Sequence, residues 1–237
     1  MDYKLPAQLI SSFVGEDVDK YEQMFNEHHR AGNYKPMGYK PFRDSLGIYL
    51  DSGFDAASEF IDRVYYGKQD KLDWHGKNQL ALSKLNDLMS SDARLKRAKL
   101  AYCNHNDDRF EQWFTYSMQK DYYSGSVKIV MSPHFSFEYR NRKIFVYVVP
   151  SKIRKTIHLH SLYSLGVKSL AKKNDGFIVV GLDTGDVVYD IGIERVYAKI
   201  RKTVKALCIN VLDRLPNDIK KKYTAEVEDE DIEFDVS

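Results

Sequence analysis

Lys and Arg recur in short clusters along this chain, and the chemistry open to them is neutralisation of phosphate. One cluster is Arg94, Lys96, Arg97 and Lys99, and a second is Arg140, Arg142 and Lys143. Lys152, Arg154 and Lys155 make a third, and Lys168, Lys172 and Lys173 a fourth. A fifth set, Arg195, Lys199, Arg201, Lys202 and Lys205, occupies the polar positions of a long amphipathic segment. Each cation that meets a phosphate releases condensed counterions, so binding is salt-sensitive and largely independent of base sequence. Tyr102, Phe137, Tyr139, Tyr147 and Tyr163 interleave with the clusters, as base stacking requires. Solvated helix faces and core-facing strand aromatics produce the same pattern, so convergence of the clusters decides between the two. The candidate contacts are Arg140, Arg142, Lys143, Lys199, Arg201, Lys202 and Lys205, with Tyr139 as the stacking residue.

Other chemistries find less support. Cys103, His105, Asp107 and Asp108 lie close in sequence, and His158 and His160 form an H-x-H pair. Neither has the paired spacing of a four-ligand zinc site. The two histidines are expected to cap or start a helix, and Cys103 to be a small buried hydrophobe. No G-x-S-x-G elbow and no Gly-rich phosphate loop occurs. Asp183-Thr184-Gly185-Asp186 reads as hairpin turn chemistry. No catalytic residue, metal site or cofactor is assigned.

Charge is distributed unevenly. From Glu226 to Ser237 there are seven carboxylates (Glu226, Glu228, Asp229, Glu230, Asp231, Glu233 and Asp235) and no Lys or Arg. Without them, residues 1–225 hold 36 basic against 27 acidic side chains, a net of +9. The acids alternate with Ile232, Phe234 and Val236. This ending resembles the acidic C-terminal tips of bacterial and phage single-stranded-DNA-binding proteins, although it lacks their aromatic final residue. The resemblance implies a tail that competes with nucleic acid for the body or docks a partner protein. Glu228, Asp229, Glu230, Asp231, Ile232 and Phe234 are the residues expected to do so, whether by charge or by adding a strand to a partner's sheet.

Composition sets the class. With 43% apolar and 30% charged residues among 237, the chain has the makeup of a soluble globular protein with ample core. No run of 18 apolar residues suggests a membrane span, and no basic-then-apolar N-terminus suggests a signal peptide. Two cysteines far apart point to free thiols in a reducing, cytoplasmic setting.

Periodicity supplies the elements. Helices are expected at 16–30, 55–66, 76–89, 92–103 and 108–123, with a Gly/Pro/Tyr loop at 31–41. Alternation then marks strands at 127–132, 134–139 and 143–149, the last two joined at Arg140-Asn141-Arg142. A helix at about 157–172 precedes a hairpin of 177–182 with 187–191. Residues 193–215 keep a 3.6-residue period for over five turns, until Pro216. The fold class is therefore α+β or α/β. It divides into a helical region at 1–107, an α-β-β-β-α-β-β-α layered domain at 108–223, and a flexible acidic tail at 224–237.

The αβββαβ order resembles the core of restriction-endonuclease-like nucleases. That resemblance implies an Asp near the second core strand and a Glu-x-Lys on the third, holding Mg²⁺. Here His134 follows Pro133, and the third strand has no carboxylate, which leaves Glu111 and Glu138 as the candidate acids. The reading that best fits these observations is a non-enzymatic nucleic-acid-associated accessory protein, on single- or double-stranded substrate, regulated or recruited through its tail. The alternatives are a protein-interaction module (inhibitor or adaptor) and a divergent or degenerate nuclease of that kind.

Overall fold

The computed structural model describes residues 2–33, 38–68, 71–103, 109–117, 124–152, 155–172 and 174–224. The elements in order are β1 (Asp2–Pro6), α1 (Ala7–Phe13), α2 (Tyr21–Asn33), α3 (Lys40–Ser52), α4 (Phe54–Tyr65) and α5 (Leu72–Ser91). There follow β2 (Ala101–Tyr102), β3 (Phe110–Ser117), β4 (Ser124–Met131), β5 (Phe135–Tyr139), β6 (Arg142–Val149) and α6 (Thr156–Ser169). The chain continues through β7 (Gly176–Gly181), β8 (Asp186–Val188), α7 (Glu194–Asn210) and α8 (Asn217–Lys220). This is a mixed α and β fold with two mixed sheets.

The larger sheet has the order β2-β5-β6-β7-β8, with β6 and β7 parallel and the other pairs antiparallel. Its central strands read as continuous apolar runs because both faces are covered. Phe145, Val149, Phe177 and Val179 face a core shared with α1, α6 and α7. Val146, Val148, Ile178 and Val180 face the opposite way, into a core built with α3, α4 and α5. Buried Asn78 ties those three helices together. It accepts from the Phe42 N–H at 2.8 Å and donates to the Tyr65 hydroxyl at 3.2 Å. The Phe42 N–H is one of the α3 N-terminal donors left without an intrahelical acceptor.

The smaller sheet has the order β1-β4-β3, with β1 parallel to β4 and β3 antiparallel to it. Tyr3 and Leu5 turn their side chains into the first core beside Val127 and Ile129, so the N-terminal segment contributes a strand as well as helices. Thr224 forms an isolated antiparallel bridge with Tyr3.

Three expected elements differ. Residues 108–123 do not form a helix, because 110–117 is β3, and Phe114 and Tyr116 face inward while Glu111, Trp113 and Thr115 are exposed. The apolar triplet Phe110, Trp113 and Phe114 imitates a helical period, but the β-formers on either side follow an alternation. The observed order is therefore β-β-β-β-α-β-β-α, and the nuclease-like order loses its first helix. Residues 92–103 are a turn followed by β2, since Asp92 accepts from the Arg94 and Leu95 N–H groups and closes the chain locally. The last helix ends at Asn210 and gives way to a 3₁₀ turn at Leu212–Arg214. In addition, α3 was not expected: it begins at Lys40, in the last two residues of the 31–41 loop, with Pro41 in its first turn, where proline's missing N–H is harmless.

Candidate nucleic-acid interface

The inward face of α7 carries Val196, Ile200, Thr203, Val204, Leu207 and Cys208, all buried. The same 3.6-residue period puts Arg195, Lys199 and Lys202 on one outward line, with Arg201 and Lys205 beside it. All five are exposed. No carboxylate lies between Glu194 and Asp213. Among the described residues none of the five is ion-paired. Arg195 joins the four predicted contacts, and its i, i+4, i+7 spacing with Lys199 and Lys202 is the signal that identifies it.

Several other cations are engaged, while Arg154 and Lys173 lie outside the described residues. Arg94 pairs with Asp92 and lies 4.0 Å from the Tyr189 ring centroid. Lys155 meets Glu16 at 2.6 Å, and Lys128 meets Glu111 at 2.6 Å. Lys168 binds Glu194 at 3.0 Å and sits over Tyr197. Lys96, Arg97 and Lys99 are exposed on the irregular turn after α5.

The second predicted group sits on the β5–β6 turn. Arg140 and Asn141 both have positive φ, 51° and 60°, the geometry of a two-residue primed turn. Tyr139 is 54% exposed, and the Arg140 guanidinium lies 5.2 Å from its ring centroid. Arg142 Nε donates to the Asn174 carbonyl, and the Lys143 N–H donates to Asp175 Oδ1 at 3.2 Å. An open recess of about 630 Å³ results, lined by Glu138, Asn141, Lys143, Lys172, Asn174 and Asp175. Its two carboxylates dilute the positive charge. The structure thus gathers Arg140, Arg142, Lys143 and Tyr139 at one turn. It places Lys199, Arg201, Lys202 and Lys205 on a separate helix face, and Lys168 bridges towards the N-terminal end of that helix.

Glu111 is on β3 of the smaller sheet, paired with Lys128, and Glu138 is on β5 of the larger, lining the recess beside the β5–β6 turn. Among the described residues no three His, Cys, Asp or Glu side chains are grouped to hold a metal ion. His158 and His160 lie in the opening turns of α6, as expected, with His158 Nε2 4.0 Å from Glu16. Cys103 is buried. His105, Asp107 and Asp108 lie outside the described residues, as do the tail residues Glu228, Asp229, Glu230, Asp231, Ile232 and Phe234. No helix among the described residues is long and apolar enough to cross a membrane. No protein-family model matches the chain, and no curated protein matches it in sequence.

Proposed function

We propose that this chain is a non-enzymatic nucleic-acid-associated accessory protein that holds a phosphate backbone against the outer face of α7. The observation that carries the reading is the run from Arg195 to Lys205, five exposed cations without an acid among them. Neighbours three and four apart on a helix stand about 5–6 Å from each other, so the face is a dense line of charge. Arg140 and Tyr139 add a turn where a cation and an exposed ring could take a second stretch of strand. Buried free thiols at Cys103 and Cys208 support a reducing, cytoplasmic setting.

Salt dependence tests this reading. With five phosphate contacts, affinity for duplex falls by about 10²–10³-fold between 50 and 200 mM salt. Fluorescence anisotropy with single- and double-stranded DNA and RNA measures it. Binding absent at 50 mM salt on every substrate retires the proposal.

The second reading, a protein-interaction module, is favoured by one residue. Trp113 is 49% exposed on β3, an edge strand of the smaller sheet. A large aromatic on such an edge suits a partner's strand or pocket. A stoichiometric partner that survives nuclease and high salt, and is lost on Trp113→Ala, would support it.

A further inference from the structure

We infer that residues 226–237 of this chain dock on the basic outer face of α7, running from the C-terminal end of the helix towards its N-terminal end. The inference rests on the reading of that face as a polyanion site, and it names the face's internal occupant.

Thr224 bridges Tyr3, the Tyr3 hydroxyl donates to Asp213 Oδ1 at 2.9 Å, and Asp213 lies three positions beyond the last residue of α7. Tyr223 is buried with its ring centroid 5.0 Å from that of Phe25. The chain therefore leaves the core beside the C-terminal end of the basic helix.

The exit point decides which surface lies within reach.

Length and charge choose that surface. Thirteen residues from 225 to 237 reach at most about 45 Å when extended, whereas the 17 residues of α7 span about 25 Å. About 20 Å remains for rounding the helix. Seven carboxylates then face five cations. The β5–β6 turn competes poorly, because Glu138 and Asp175 already line its recess. The helix dipole supplies the direction: its positive N-terminal end, with Arg195 and Lys199, suits the distal acids Glu233 and Asp235. Tethering raises the effective concentration of the segment to the millimolar range, so modest individual contacts suffice.

Zero-length carbodiimide crosslinking of the full-length protein, without nucleic acid, tests this directly. The expected result is peptides joining 226–237 to Lys199, Lys202 or Lys205 in the monomer fraction, abolished by high salt. A nitroxide on Val236→Cys should likewise broaden the amide signals of residues 195–205 and spare those of 139–143. Crosslinks confined to other lysines, or found only between two copies, overturn the proposal. So does a nitroxide that leaves α7 unbroadened. Crosslinks seen in a protein that binds no nucleic acid would keep the docking and remove the function, and the converse result would keep the function and remove the docking.

Discussion

Tyr3 of β1 donates its hydroxyl to Asp213 Oδ1 across 210 positions of chain, and Tyr116 of β3 donates to the same oxygen at 3.0 Å. Both edge strands of the smaller sheet are thereby fastened to the turn that follows α7. Burial, with Cys208 and Asp213 nearby, raises the Tyr116 phenol well above its ordinary pKa, so it stays protonated and donates. Burial first, and Asp213 second, likewise raises the Cys208 thiol. Asp213→Ala should destabilise the fold by about 2–3 kcal/mol, since it strands two hydroxyls. Tyr3→Phe should cost about 1 kcal/mol. Urea melts of the single and double variants should show non-additivity, as expected of groups that share one acceptor.

Asp92 gives the fold an acid-sensitive fastening. Arg94, by its side-chain hydrogen bond above all, lowers the Asp92 carboxyl from 3.8 to about 2, and the Arg94 and Leu95 N–H groups assist. A carboxyl whose folded pKa lies below its unfolded value stabilises the protein above the unfolded pKa. This contribution is therefore complete above about pH 4 and disappears as pH falls towards 2. Asp92→Asn should cost about 1–2 kcal/mol at pH 7, and should flatten stability between pH 4 and 2. Chemical denaturation at a series of pH values checks both.

Arg140 occupies a left-handed backbone position with φ 51°, which costs a side-chain-bearing residue about 1 kcal/mol relative to glycine. Arg140→Gly should raise stability by about 0.5–1 kcal/mol while weakening nucleic-acid binding. A thermal melt beside an anisotropy titration would show the two effects moving in opposite directions. A variant that is more stable and binds equally well would remove the turn from the interface.

The helical period of α7 and the apolar runs of β6 and β7 are legible because each pattern persists over several buried positions. β3 is not, because Phe110, Trp113 and Phe114 satisfy a helical period by coincidence, although Trp113 points to solvent. β1 has only Tyr3 and Leu5 as buried alternating residues before Pro6, and its partner β4 lies more than a hundred residues away. Such non-local parallel pairing leaves almost no local trace. For the candidate site, the α7 cations could be read from spacing alone. The engagement of Arg94, Lys128, Lys155 and Lys168 by acids could not, since most of those pairs join distant elements.

The most direct test of the central claim is a salt titration of binding by the intact protein and by a variant carrying Lys199→Ala, Arg201→Ala, Lys202→Ala and Lys205→Ala. A matched thermal melt shows that both are folded. Removing one phosphate-neutralising cation lowers the slope of log affinity against log salt by about 0.9 for duplex DNA. The account predicts a slope shallower by about 3–4 and weaker binding to every sequence alike. An unchanged slope and affinity in the folded variant would contradict it.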